Sequence, residues 1–274
     1  MAKKREIHLS TRLFINWIAK RIKANKNAII IVNGPTGSGK TYACISMAQA
    51  VADKLGTNFS VKNNLAFKFP DLLQKMKLED NQLPGTAFVF EEVGAFGGGA
   101  SSREWQSQAN KFFFSFMQTS RHRNQIIFMN CPDFSYLESG ARKLVHFQFQ
   151  MAGIDRVRWQ SFIKPYKVQV NSRSGKFYFK YMRITTKDGT SKLNRLVINY
   201  PGSKPVKDYE KVKLEFTSSL NEEMLGGKEE EKEEKNLWQC NLCGYEFKAR
   251  SKTPYRCPRC LKFACVEEKG SLST

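Results

Sequence analysis

Eight consecutive residues, Gly34-Pro35-Thr36-Gly37-Ser38-Gly39-Lys40-Thr41, have the types and spacing to do chemistry. They fit the pattern G-x-x-x-x-G-K-[ST] at every fixed position. Glycines so placed let a backbone wrap tightly and aim its N–H groups at phosphate oxygens. Lys40 would reach the β- and γ-phosphates of ATP, and the Thr41 hydroxyl would ligate Mg²⁺. The plain alternative is a glycine turn between a strand and a helix. The context speaks for the phosphate loop, because a short buried strand precedes the motif and a helix pattern follows it.

Such a loop needs an acidic partner at the end of a neighbouring strand. FVFEE, Phe88 to Glu92, is an apolar run that ends in two carboxylates. Glu91 would hold Mg²⁺ through water, and Glu92 would polarise the attacking water. Adjacent carboxylates repel and lose solvation when half buried, and a divalent cation offsets that. Two surface charges at a loop entrance are the competing reading, but no other apolar strand here ends in acids. Arg121 and Arg123 flank His122 just before another apolar run. Either arginine can serve a catalytic site or simply meet solvent or a nucleic-acid phosphate. His122 has no visible metal or nucleophile partner.

A second chemistry lies near the C-terminus. Cys240, Cys243, Cys257 and Cys260 form C-x₂-C-x₁₃-C-x₂-C, a metal-ligand spacing. Four thiolates suit a tetrahedral, closed, structural Zn²⁺. Gly244 and Pro258 suit the tight turns that point sulfurs at the ion. The segment resembles a zinc ribbon, and its WxCxxCGY opening also looks like rubredoxin-type iron sites. So short a stretch has little apolar core, and metal binding can fold it instead. Cys265 falls outside the pattern and reads as a packing thiol. Lys248, Arg250, Lys252, Arg256, Arg259 and Lys262, with Tyr245, Phe247 and Tyr255, give the ribbon a basic face suited to nucleic acid or an acidic protein surface. A purely structural tail fits equally.

The phosphate loop, the acidic strand and the run Thr119–Leu144 together resemble the FtsK–HerA superfamily of P-loop ATPases. The similarity is to its zonular-occludens-toxin-like and archaeal or viral members, over residues 28–150. That resemblance implies DNA translocation or packaging by a homo-oligomeric ring. It also implies an arginine finger supplied by a neighbouring subunit from Arg121 or Arg123, with Arg103 and Arg142 in reserve. Asn130 stands where the family usually has a Gln sensor, and Glu91 where it usually has Asp. The alternatives are an assembly or secretion factor resembling zonular occludens toxin proteins, or a nucleotide-gated switch that binds DNA or a partner. A small-molecule kinase would need an arginine-rich lid and an acceptor pocket, and neither is identifiable.

Certain elements must position these residues. Leu9–Lys26 reads as an amphipathic helix whose stripe is Leu13, Phe14, Trp17, Ile18 and Ile22. Its basic flank would suit a membrane surface, though such stripes more often dock on their own domain. Ala28–Val32 is a buried parallel strand, Thr41–Lys54 a helix, and Phe59–Asn63 and Leu65–Phe69 are short strands. A helix opens at Pro70 and runs to Lys77. Strands follow at Ala87–Phe90, Gln125–Met129 and Leu144–Gln150, with a helix over Ser102–Ser120. Tyr166–Val170, Phe177–Thr186 and Leu193–Tyr200 read as a β-meander, and Tyr209–Leu220 as a helix. The expected fold class is α/β: a P-loop NTPase three-layer core with a mainly parallel sheet, a β-meander extension at about 166–200 and a C-terminal zinc ribbon. The expected domains are an ATPase domain over 1–226, a charged linker over 227–236 and the ribbon over 237–268.

Composition bounds the partners. The 274 residues carry a formal net charge of +20, and residues 1–226 hold 35 Lys and Arg against 17 Asp and Glu. Such a surface favours polyanions, nucleic acid first and an acidic membrane second, although solubility alone also uses charge. No apolar run spans a membrane and the N-terminus lacks a signal-peptide core, so a cytoplasmic location is expected. Five of the seven cysteines crowd into the last 35 residues, the layout of a metal site in a reducing compartment.

Overall fold

The computed structural model describes residues 7–91, 123–137, 139–186, 189–226, 236–249, 256–263 and 266–270. The chain divides into two compact units, Met1–Lys213 and Leu214–Thr274. The first is built on one sheet. Its strands are β1 (Ala28–Asn33), β2 (Leu65–Ala66), β3 (Ala87–Phe90), β4 (Ile126–Cys131), β5 (Phe147–Asp155), β6 (Gln160–Val170), β7 (Phe177–Thr186), β8 (Gly189–Leu193) and β9 (Leu196–Asn199). Their order is β2-β3-β4-β1-β5-β6-β7-β8, with β9 paired to β6. The first five of that order are parallel, and β6, β7, β8 and β9 continue antiparallel.

Every residue of β1, β3 and β4 is buried, because helices cover both faces of a parallel sheet. Helices α1 (Leu9–Lys23) and α2 (Lys40–Leu55) lie on one face. The α1 stripe docks on its own domain: Phe14 meets Phe149 at 5.0 Å between ring centroids, and Trp17 meets Phe147 at 5.1 Å. The other face packs Ile29, Ile31, Phe88 and Met129 against Leu72 and Met76 of helix α4 (Phe69–Lys77). The expected α/β three-layer core with a mainly parallel sheet is therefore present.

Three local expectations change. Val61–Asn64 is a helical turn, α3, not a strand. Ser60 Oγ accepts from the Asn63 N–H at 3.2 Å, and Asn64 Oδ1 accepts from the Ser60 N–H at 2.9 Å. That reciprocal capping overrides the β propensity of Val61. The extension is also more than a meander. β6 begins at Gln160, six residues before the expected start, and forms a long hairpin with β5. β9 returns to pair with the first half of β6 instead of with β8. The C-terminal helix is longer than expected, running from Ser203 to Gly226. The Ser102–Ser120 helix lies outside the described residues.

In the second unit, strands β10 (Asn236–Cys240), β11 (Glu246–Ala249) and β12 (Val266–Gly270) form a small antiparallel sheet in the order β11-β10-β12. Among the described residues, no helix is long and apolar enough to cross a membrane.

Candidate functional site

The phosphate loop starts where β1 ends and closes on the first turn of α2. Gly37 and Gly39 take φ of +75° and +77°, a region that disfavours any side chain. Gly34 and Gly39 are also needed for clearance. A Cβ on Gly34 would lie 2.8 Å from Met151 Cβ, and one on Gly39 would lie 3.2 Å from Ser161 Oγ and 3.3 Å from the Tyr200 hydroxyl. Those neighbours come from β5, β6 and the end of β9. The register of β5 shifts between Met151 and Gly153, and such a bulge bends a strand locally. The antiparallel extension thus packs directly against the loop.

Three expected site residues meet at the start of α2. Asn130 Nδ2 donates to Glu91 Oε2 at 2.9 Å and to Thr41 Oγ1 at 3.1 Å, and Thr41 Oγ1 donates to Glu91 Oε2 at 3.1 Å. Parallel pairing closes sequence gaps of 50 and 89 residues. β4 lies between β3 and β1, with Phe90 opposite Met129 and Val32 opposite Asn130. Glu91 is 1% exposed and Asn130 4%. A buried carboxylate is held there by two side-chain donors, at the carboxyl ends of the strands, where open α/β sheets bind ligands. Lys40 Nζ donates to the carbonyls of Gly34 and Pro35, each at 2.9 Å, so its ammonium lies inside the loop it closes. Burial, followed by the charge of Glu91, pushes the nearby Cys44 thiol well above its usual range, so it stays protonated. Burial and Asp133 push Cys131 up to about 12.

A cavity of about 450 Å³ opens over this cluster. Thr36, Gly37, Gly39, Lys40, Thr41, Glu91, Asn130 and Pro132 line one side, and Tyr42, Tyr200, Tyr209, Glu210 and Lys213 the other. The Tyr42 ring packs on Tyr200 at 5.5 Å and on Tyr209 at 5.9 Å, and its hydroxyl donates to Glu210. Burial, then that bond to Glu210, pushes the Tyr42 hydroxyl up to about 12. These five residues were missed from sequence. Only Tyr42, beside the motif, offered a signal. The others lie some 160 residues downstream, and only the return of β9 and the following helix brings them to the loop.

Glu92, Arg121 and Arg103 lie outside the described residues. Arg123 is exposed and sits before the amino end of β4, whereas Asn130 is near the carboxyl end. At about 3.3 Å per residue that separation is roughly 20 Å, so Arg123 does not reach its own cavity. Arg142 lies over the Phe177 ring at 5.6 Å and does not line the cavity.

The cysteine cluster is a separate site. Cys240, Cys243, Cys257 and Cys260 place their sulfurs within 4.8 Å of one another. Two of the separations, Cys240 to Cys260 and Cys243 to Cys257, are 3.7 Å. Four sulfurs about 2.3 Å from a central ion would stand about 3.8 Å apart, so the residues fit a tetrahedral metal. Two matching turns present them. The Gly244 N–H bonds the Cys240 carbonyl at 2.8 Å, and the Leu261 N–H bonds the Cys257 carbonyl at 3.0 Å. Gly244 and Leu261 take φ of +67° and +59° at equivalent places.

No protein-family model matches the sequence, and no curated protein matches it. Solved structures similar to part of the chain include the N-terminal domain of zonular occludens toxin from Neisseria meningitidis. That pair is 16% identical, covering 61% of this chain and 100% of that one, with a TM-score of 0.32. The genome packaging NTPase of Sulfolobus turreted icosahedral virus 2, solved with sulfate, is 11% identical over 57% of this chain and 96% of its own, at 0.34. The flagellar accessory protein FlaH from Methanocaldococcus jannaschii is 12% identical over 60% and 95%, at 0.29. The fold assignment stands on the strand order and the phosphate-loop geometry.

Proposed function

We propose that this chain binds ATP with Mg²⁺ and hydrolyses it, and that hydrolysis drives movement or packaging of DNA by a ring of identical copies. The observation that carries the ATPase reading is the meeting of Thr41, Glu91 and Asn130 beneath a cavity bounded by the phosphate loop. Lys40 would leave the Gly34 and Pro35 carbonyls for the β- and γ-phosphates. The backbone from Gly34 to Thr41, with Pro35, Thr36, Gly37, Ser38 and Gly39 between, would cradle them. Bound Mg²⁺ neutralises charge that develops on the phosphates. Thr41 would ligate it and Glu91 would hold its water. Glu92 would polarise the attacking water, and Asn130 would hydrogen-bond a water or the γ-phosphate. Arg121 or Arg123 would act on the neighbour's site, and the position of Arg123 at the far end of β4 fits a role in trans rather than at its own cavity.

The ribbon cysteines Cys240, Cys243, Cys257 and Cys260 would hold Zn²⁺ as a structural ion. The net positive charge is what favours DNA as the partner.

Turnover of ATP, measured with and without DNA, tests the reading. DNA should stimulate hydrolysis, and Lys40→Ala should abolish it. Arg123→Ala, or Arg121→Ala if that residue is the finger, should slow it about 10³–10⁵-fold. Mixing that variant with Lys40→Ala should restore turnover, because each lacks a part the other supplies. Turnover indifferent to DNA at low and moderate salt would leave an assembly factor as the better reading. Metal analysis of protein purified without chelators should find one Zn²⁺ per chain, and finding neither zinc nor iron would sink the ribbon assignment.

A further inference from the structure

More than half of the net positive charge lies in one span. Residues 156–207 contain 13 Lys and Arg and a single acid, Asp188. The strands β6, β7 and β8 fall within that span. Pairing sets Lys167 directly opposite Lys180, and Arg183 directly opposite Lys192. All four are exposed, and among the described residues none has a carboxylate partner. Like charges directly across a sheet lower its stability. Folding alone therefore gives no reason for two such pairs in adjoining ladders.

The pairs lie on opposite faces, since strand residues alternate. The face of Arg183 and Lys192 also carries Lys164, Tyr166, Phe179 and Tyr181. Tyr166 and Tyr181 are cross-strand partners, with ring centroids 4.7 Å apart and hydroxyls 3.3 Å apart. Lys192 Nζ stands 4.6 Å from the Tyr181 ring centre. Phe179 is 42% exposed. Flat rings framed by unneutralised cations match a strand whose bases are free to stack and whose phosphates run alongside. A duplex keeps its bases stacked on each other and has no use for the rings.

We propose that this face of the antiparallel extension binds single-stranded nucleic acid, with phosphates on Arg183, Lys192 and Lys164 and bases on Tyr166, Tyr181 and Phe179. The assignment deepens the proposed function by naming the surface on which nucleic acid lies, and it rests on that reading only for the link to ATP turnover. A bound polyanion attracts both cations and offsets their cross-strand repulsion, so binding should also stabilise the extension.

Fluorescence anisotropy of the full chain with labelled oligo-dT, without nucleotide and across a salt series, tests this. Arg183→Gln with Lys192→Gln should weaken binding at least about tenfold and flatten the slope of log affinity against log salt by about 1.4. Tyr181→Leu should weaken oligo-dT binding about tenfold and leave a duplex of equal length unaffected. Lys167→Gln with Lys180→Gln, on the other face, should weaken it less than the first pair. Thermal unfolding of each variant confirms that it is folded. Lys40→Ala should bind oligo-dT like the parent, which separates this result from that of the ATPase. Loss of ATPase in every preparation with oligo-dT binding intact would overturn the proposed hydrolysis and leave this surface standing. Parent-like binding by the Arg183–Lys192 variant, equal losses from both faces, or a Tyr181→Leu effect shared by the duplex would each overturn the proposal. So would binding to phosphatidylserine vesicles with none to oligo-dT.

Discussion

In β1, β3 and β4 every residue is buried, whereas in β6 buried residues are interspersed with partly buried and exposed ones. Both belong to one sheet. The difference follows from connectivity. Parallel neighbours are joined by crossovers that lay helices on both faces, while antiparallel neighbours joined by hairpins leave a face uncovered. A ligand can meet the parallel half only at its edge, and there Thr41, Glu91 and Asn130 converge. The antiparallel half has a face to offer, and there the unneutralised cations stand. One sheet thus presents two kinds of surface, an edge where backbone and buried polar groups converge and a flank that carries exposed cations.

The contrast can be broken by substitution. Phe88→Ala, which empties a fully buried site in the parallel half, should cost about 3–5 kcal/mol in urea unfolding. Tyr178→Ala in β7, where the side chain is 48% exposed, should cost well under half of that. Equal costs would mean that the antiparallel half is as packed as the parallel half. Asn130→Ala should cost about 1–3 kcal/mol, because the buried Glu91 carboxylate loses a donor. It should also weaken nucleotide binding, which calorimetry would read. Gly34→Ala should cost about 1–3 kcal/mol by forcing Met151 aside, on top of the strain of its own positive φ of +155°. Gly175→Ala, with a positive φ but open space around it, should cost only the backbone strain of about 1–2 kcal/mol. A larger loss at Gly175 would deny that the extension presses on the phosphate loop. The smallest effect runs the other way. Lys180→Glu should stabilise the chain by about 0.2–1 kcal/mol, as it turns a like-charge pair into an opposite one. A loss of stability there would remove the argument that these cations serve something other than folding.

Much of the site was legible because its residues carry their own geometry. Gly37 and Gly39 are glycine where φ is positive, and Lys40 and Thr41 follow as the first residues of α2. Glu91 was legible from the apolar run it ends, and the four cysteines from their spacing. The wall of Tyr200, Tyr209, Glu210 and Lys213 was not, because nothing local marks a residue that reaches a loop 160 positions away. The pairing of β9 with β6 was hidden for the same reason. Val61–Asn64 was misread because β propensity is weak beside a cap formed by Ser60 and Asn64.

The amino-acid sequence determined by itself the candidate groups for a phosphate, a cation and a metal, since short-range spacing fixes backbone wrap and ligand direction. Tertiary structure decided which of them meet. Parallel register brought Asn130 and Glu91 to Thr41, and a bulged β5 laid the extension against Gly34. Antiparallel pairing set Lys167 against Lys180 and Arg183 against Lys192. The physical reason is that strand register is settled by burial summed over the whole sheet, a quantity that no window of sequence contains.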